Sequence, residues 1–377
     1  MRLVKLTSFY PAYLREFYAK RPGLAKKGYA EQRDALMYDA FGWADFWSVA
    51  LRGLGYEALE IVLNASPMQA AWAAENGVPG GASADLRAVA VAQMKAFRPD
   101  VIWFEDSSDG IVETVRDEVP SAKLVIGWAA GSGVSAVKTW GRMDLILSCM
   151  PELTEYFRGQ GLRAEQVHHA FDPRIGARLA EGAKKTNFSF IGQIVTEGAF
   201  HGSRARLLET LADKTDITIF TPGGGAGPVE RAKDVLRAVR RGGMPKSPYG
   251  RALRKRMRPA AYGLEMFQTL RDSKVSLNIH ADSSTRYASN MRLFEITGAG
   301  ACLLTDWKEN MHGLFAPERE AVTYRSPEEC VEKALWLAQH PDEAAKIAAA
   351  GRARTLREHT YAERAKRLDG IIKEALA

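Results

Sequence analysis

The stretch Ser289-Asn290-Met291-Arg292-Leu293-Phe294-Glu295-Ile296-Thr297-Gly298-Ala299-Gly300-Ala301, followed by Cys302-Leu303-Leu304-Thr305-Asp306, gathers reactive groups at one end of an apolar αβ unit. It reads as a short helix with polar groups at its start and an acid mid-way. Gly298 and Gly300 end it, because glycine allows a left-handed stop and close packing on the next strand. Met291 and Glu295 are four apart and share a face, and Arg292 and Glu295 are three apart. A carboxylate placed there can accept hydrogen bonds from a ribose diol, and a guanidinium can bind a phosphate in bidentate fashion. The two side chains can also pair with each other on a solvated face, for roughly a few tenths of a kcal/mol. Spacing alone favours that plain pair, since such pairs are common on helices.

Asn-x-Arg-x-Phe-Glu before a Gly-x-Gly and a strand ending in Thr305-Asp306 resembles the sugar-nucleotide half of the group 1 glycosyltransferases. More narrowly, it is similar to the branch that includes the CgeB-type spore-coat proteins. The likeness continues through Ala261-Tyr262-Gly263-Leu264-Glu265-Met266, Ser276-Leu277-Asn278-Ile279-His280, Tyr324-Arg325-Ser326-Pro327-Glu328-Glu329 and Glu358-His359-Thr360-Tyr361. It covers residues 185 to 365 with several ordered motifs. In the N-terminal half it is limited to Asp144-Leu145-Ile146-Leu147-Ser148 and Ala170-Phe171-Asp172-Pro173. The resemblance implies the α/β architecture called GT-B, two Rossmann-like doubly wound domains facing each other across a cleft. The C-terminal domain would bind the nucleotide and the N-terminal domain the acceptor. Glu295 would hold the ribose hydroxyls, and Asn290 and Arg292 would face the diphosphate or the sugar. Retaining relatives commonly carry a second Glu eight residues earlier, where this chain has Tyr287, so the stereochemical outcome stays open.

Other residues fit the same chemistry. Gly192-Gln193 follow a strand and open a backbone-amide site, with Arg204 at the start of the next helix. Amides, helix dipole and a guanidinium together favour a diphosphate. His280 stands at a strand end shortly before the motif helix, an address suited to a ligand contact. A leaving nucleoside diphosphate needs its charge stabilised, and positive groups can do this without a metal. The sequence contains no Asp-x-Asp to supply the usual metal ligand pair. No metal or cofactor is expected beyond the nucleotide diphosphate sugar itself. If the reaction inverts, Glu105, Asp106 and Asp109 follow a strand at an expected cleft edge and could deprotonate an acceptor hydroxyl. The same three can equally form a loop and cap ahead of Ile111. His168 and His169 end a strand and are secondary candidates.

These groups need elements to position them. Strands and helices alternate along the chain, which predicts parallel βαβ units. Strands are expected at Leu3–Leu6, Ala58–Leu63, Val101–Phe104, Lys123–Trp128, Leu145–Leu147 and Gln166–His169. Helices are expected over Ala44–Leu54, Ala84–Phe97 with Ser83 as N-cap, and Glu152–Gln160. The pattern restarts with a strand at Phe188–Gln193, a helix at Arg204–Leu211 capped by Ser203, and a strand at Ile217–Phe220. Gly223-Gly224-Gly225 then reads as a loop past a strand. Thr360-x-x-Glu363 is a capping box for a terminal helix. The expected domains are therefore 1–173, on the acceptor side, and 187–358, binding the nucleotide sugar. A linker at 174–186 joins them, and a terminal helix over 359–377 is free to pack back on the first domain.

At 377 residues the chain is long enough for two domains, and 26% charged residues is an ordinary globular content. The three cysteines, Cys149, Cys302 and Cys330, are far apart and lie in no Cys-x-x-Cys, which argues against a zinc site or disulfide framework and for a reducing cytoplasm. The N-terminus reaches Thr7 and Ser8 too soon for a signal-peptide core, and no apolar run suits a bilayer span. The net charge of +7 is concentrated in the segment from Arg231 to Arg258. That segment could hold an anionic membrane surface or a lipid-linked phosphate, or it could be a solvated face. Nucleic acid is the poorest partner, because Tyr249 is the one aromatic residue in the run.

The expectation is a metal-independent glycosyltransferase for polysaccharide synthesis. It would move a hexose-type sugar from a nucleotide diphosphate sugar to a glycan or lipid-linked acceptor. Its expected place is the cytoplasm, or the periphery of the inner membrane face. A nucleotide-sugar epimerase of the same fold and a non-catalytic glycan or coat assembly protein are the alternatives, since fold does not fix function.

Overall fold

The structure is a computed structural model that describes residues 1–105, 110–130, 139–194, 202–222, 224, 249–282 and 284–377. It divides into two compact units, Met1–Asp172 with Thr360–Ala377, and Pro173–His359.

The first unit is built on six parallel strands, β1 (Arg2–Thr7), β2 (Glu57–Val62), β3 (Val101–Phe104), β4 (Leu124–Ala129), β5 (Leu145–Ser148) and β6 (Ala164–Gln166). Their order is β2-β1-β3-β4-β5-β6. Strands covered on both faces read as near-continuous apolar runs, as Val-Ile-Trp-Phe in β3 and Leu-Val-Ile in β4 do. Helices α1 (Pro11–Ala19), α2 (Tyr29–Tyr38), α3 (Phe46–Arg52), α4 (Ser66–Glu75), α5 (Leu86–Phe97), α6 (Ile111–Glu118) and α7 (Pro151–Gly159) connect them. Asp85, not Ser83, caps α5: its carboxylate accepts from the amides of Arg87 and Ala88 at 2.9 and 3.1 Å, while Ser83 lies in a preceding 3-10 turn. The last strand also lies earlier than expected, over Ala164–Gln166, so His168 and His169 follow it.

A charge sits inside this sheet. Lys5 is fully buried, and its Nζ lies 2.9 Å from Glu60 and 3.0 Å from Glu105. Ser48 donates to the other oxygen of Glu60 at 2.7 Å. Burial opposes the lysine charge, but Glu105 and Glu60 outweigh it and raise the Lys5 pKa. Behind Lys5 stands a packed aromatic group of Trp43, Trp47, Trp103 and Trp128, with Trp43 and Trp128 centroids 4.7 Å apart. Trp43 Nε1 donates to His169 Nδ1 at 3.1 Å, which fixes that nitrogen as an acceptor.

The second unit repeats the plan with β7 (Thr186–Ile191), β8 (Thr218–Phe220), β9 (Met257–Arg258), β10 (Ser273–Asn278), β11 (Cys302–Asp306) and β12 (Val322–Tyr324). Its parallel order is β12-β11-β10-β7-β8-β9. Neighbours β7 and β10 therefore continue in opposite directions across the sheet, the switch point where open α/β sheets bind ligands. Its helices are α8 (Gly202–Lys214), α9 (Arg251–Arg256), α10 (Gly263–Arg271), α11 (Arg292–Ala299), α12 (Met311–Leu314), α13 (Pro327–Gln339) and α14 (Pro341–Glu358). Gly300 has the left-handed φ of 87° that stops α11, whereas Gly298 lies inside the helix. Ser203 is within α8 and donates to Asp282, so it is not that helix's cap. The span read as a linker begins with a 3-10 helix at Pro173–Arg178 that belongs to this unit.

Helix α15 (Tyr361–Leu376) returns the chain to the first unit. Thr360 Oγ1 accepts from the amide of Glu363 at 3.3 Å, one half of the capping box. Tyr361 packs its ring against Phe46 and Trp47 at centroid distances of 5.2 and 5.1 Å, and Tyr56 donates to Asp369 at 2.8 Å. Thus α15 completes the core around α3.

Burial pushes the His169 pKa down to about 3, helped by His168 and Arg364. A histidine depressed in the fold stabilises it fully above the unfolded value of about 6.5, and this contribution is lost as pH falls toward 3. Urea unfolding followed by tryptophan fluorescence at pH 7.5 and 5.0 should show it. His169→Gln keeps an acceptor for Trp43, and its loss of stability between those pH values should be smaller than wild type by about 2 kcal/mol. Equal losses in the two proteins would show that His169 is not the group responsible.

Candidate functional site

The parallel register brings the carboxyl ends of β7, β10, β11 and β12 to one edge of the second sheet, with Leu277 opposite Phe190, Asn278 opposite Thr305 and Asp306 opposite Tyr324. Arg204, on the first turns of α8, reaches across the switch point. Its Nη1 donates to the carbonyl of Gln193 after β7 at 3.2 Å, and its Nη2 to the carbonyl of Ile279 after β10 at 2.8 Å. Its Nε is buried and meets no acceptor. Burial lowers its pKa, while Asp282, Asp306 and Tyr324 act to raise it. Among the described residues Arg204 makes no ion pair, so its charge is available to an anion.

Gly192 contributes differently from the sequence expectation. Its amide donates to the carbonyl of Phe220 at 3.0 Å, so that N–H serves the sheet and is not offered to an anion. What Gly192 supplies is room, because a Cβ there would lie 2.9 Å from the Phe190 ring.

Asn278 and Asn290 tie the strand end to the motif helix. Asn290 Nδ2 donates to Asn278 Oδ1 at 3.0 Å, and Asn278 Nδ2 donates to Thr305 Oγ1 at 3.0 Å. Two residues further, Arg292 and Glu295 form an ion pair of 2.8 Å, with side-chain exposures of 22% and 8%. The plain helix pair is therefore present, but it is largely buried. Burial raises the Glu295 pKa and Arg292 opposes that rise. A carboxylate kept at this depth beside one partially exposed guanidinium is unlike a solvated surface pair, whose contribution is small.

His280 is enclosed next to this group. Asp306 Oδ1 accepts from its Nδ1 at 2.7 Å and from its backbone amide at 3.1 Å, while Nε2 is buried with no partner. Burial alone would raise the Asp306 pKa. The charge that His280 carries when protonated, its hydrogen bonds, and Lys308 3.2 Å away reverse this and hold the carboxyl well below the usual range. Tyr324 adds a buried hydroxyl without a partner, and burial together with Asp306 pushes its pKa well up.

The structure thus gathers Gln193, Arg204, His280, Asn290, Arg292 and Glu295 around one sheet edge. Glu105 belongs to the first unit, where Lys5 holds it at 3.0 Å and its side chain is 24% exposed. Asp106 and Asp109, like most of the basic segment and Gly223 and Gly225, lie outside the described residues. Asp306, Tyr324 and Asn278 were not assigned roles from sequence. Thr305-Asp306 at the end of an apolar strand was a visible signal, but pairing it with His280 requires the β10–β11 register.

Residues 204–370 match the family described as Glycosyl transferase-like. The chain has the GT-B fold. Among solved structures it is similar to sucrose-phosphate synthase from Thermosynechococcus elongatus, at 11% identity over 99% of each chain with a TM-score of 0.56. It is also similar to Anabaena HepE in complex with UDP-glucose, at 11% identity over 99% of this chain and 100% of that one, TM-score 0.58. The third is AviGT4, a glycosyltransferase involved in avilamycin A biosynthesis, at 12% identity over 100% and 98%, TM-score 0.54. At these identities the likeness is one of fold. No curated protein matches the sequence.

An ammonium cannot reach both carbonyls that the Arg204 fork joins. Arg204→Lys should therefore lower stability by about 1–2 kcal/mol, roughly the net worth of the lost hydrogen bonds. Urea titration of the second unit would measure this, and an unchanged midpoint would remove the bridging role.

Proposed function

We propose that this protein is a glycosyltransferase that moves a sugar from a nucleotide diphosphate sugar to a glycan or lipid-linked acceptor, without a metal. The observation that carries the reading is Arg204, a half-buried guanidinium at the switch point whose buried Nε lacks an acceptor. A diphosphate placed at that edge would meet Arg204 and the N-terminal turn of α8. Arg292 and Asn290 would lie toward the diphosphate or sugar, and Glu295 would take the ribose hydroxyls. Positive side chains then stabilise the charge that develops on the leaving diphosphate. The first unit would take the acceptor, with Glu105 as a candidate base. HepE, which shares the fold, has been solved with UDP-glucose, and UDP is accordingly the first nucleotide to test.

Thermal shift with UDP, GDP, ADP and their glucose esters tests the donor role. A ligand at 100 times its dissociation constant should add about 2.7 kcal/mol to stability. Glu295→Ala should keep the fold and bind the preferred nucleotide at least about tenfold more weakly, a loss of about 1.4 kcal/mol. Equal affinity in the two proteins would sink the ribose role. A nucleotide sugar converted to its isomer with no acceptor present would replace transfer by epimerisation.

The same reading gives the basic segment 231–258 a partner, an anionic membrane surface bearing the acceptor. No helix among the described residues is long and apolar enough to cross a membrane. Attachment should be electrostatic, at about 1 kcal/mol for each Lys or Arg near the surface. In sedimentation, binding to anionic vesicles should fall steeply between 50 and about 500 mM salt as screening shortens. Binding indifferent to lipid charge and salt, or no binding, would discard this partner.

A further inference from the structure

The two ring nitrogens of His280, at the second sheet edge, are treated oppositely. Asp306, ionised and able only to accept, fixes Nδ1 as a donor at 2.7 Å. Nε2, on the far side of the ring, is buried and has no partner. A neutral ring in this tautomer carries a bare lone pair at Nε2, which repels an anion. A protonated ring carries an N–H there, which is a charge-assisted donor.

We propose that His280 takes up a proton when a nucleoside diphosphate binds, with Nε2–H donating to a phosphate oxygen and Asp306 acting as the positioning residue that fixes the ring. This rests on the donor site proposed above and assigns it a proton-linked recognition step. The groups that face the ring favour it. Asp306, at the end of β11, holds the ring, and Lys308 in the loop after it pairs with Asp306, while Asp282, Asp306 and Tyr324 act on Arg204 of α8. Arg292 and Glu295 on α11 are already paired to each other, and Lys308 is paired to Asp306. Arg204, which makes no ion pair among the described residues, adds a cation to attract the anion. The anion and Asp306 then bracket the imidazole with negative charge on both sides, so binding of the anion and of the proton are mutually reinforcing.

Calorimetry of the full chain with UDP, GDP and ADP at pH 8.0, in two buffers of different ionisation enthalpy, reads the proton directly. At that pH the nucleotide phosphates are fully ionised and do not contribute. Wild type should take up a substantial fraction of a proton per nucleotide bound. His280→Gln retains an amide N–H but no titrating group, so its uptake should vanish while its affinity falls about tenfold. Asp306→Asn should reduce uptake as well, because the ring loses its fixed tautomer. Binding by wild type without proton uptake, or equal uptake in folded His280→Gln, overturns the proposal and leaves the donor site standing. Failure of wild type to bind any of the three nucleotides overturns the donor reading, and the proton-linked step falls with it.

Discussion

The carboxylate of Asp306 organises the functional edge of the second unit. One oxygen receives both the ring and the backbone N–H of His280, and the other faces Lys308. Lys308 in turn donates to the carbonyls of Ser284 and Thr285, at 2.6 and 3.1 Å. Asn310 completes the attachment by exchanging two hydrogen bonds with the backbone of Ala288. The loop that leads into the Asn290 motif is therefore held from below by the segment following β11. A parallel sheet leaves such polar groups few places to go, since its strands are covered on both faces and its strand ends alone are open. Chemistry and loop anchoring consequently share the same few residues.

The two units deal with buried charge in different ways. In the first, Lys5 is enclosed by two glutamates and an aromatic wall, and its charge is balanced within the sheet. Removing one partner would leave the others uncompensated, which is the costly way to disturb such a group. In the second, carbonyl oxygens accept from the two Nη atoms of Arg204, leaving its Nε without an acceptor and its positive charge without an ion-pair partner among the described residues. The first arrangement is suited to holding a sheet together, and the second to receiving an anion.

Much of this was legible in the sequence. The strands announced themselves because buried parallel strands are short apolar runs, as Val101–Phe104 and Cys302–Leu304 are, and Thr360 with Glu363 marked the start of the last helix. Helices α1, α2 and α4 were not assigned, and the reason is visible in α2 and α4. They bury Gln32 and Gln69 along with their apolar residues, so their inward faces do not look apolar. Their amide nitrogens donate to the carbonyls of Lys27 and Val62, partners that sequence spacing does not identify. At the site, the local grouping of Asn290, Arg292 and Glu295 was readable within one helix. The His280–Asp306 pair and the bridge made by Arg204 depend on strand order, which places residues far apart in the chain side by side. The availability of the Gly192 amide was misjudged for the same reason, because its partner Phe220 lies on the neighbouring strand.

Because α15 belongs to the first unit, that unit cannot be finished when its own six strands have been made. Tyr361, which closes over Phe46 and Trp47, leaves the ribosome roughly 190 residues after Asp172. At ~5–20 residues per second this delay is on the order of 10–40 s. Throughout it, the tryptophan-bearing face of α3 has no covering helix, while the whole of the second unit emerges and can fold. Synthesis therefore reverses the order of the chain: the half begun first is completed last, and until then its half-built surface stays uncovered.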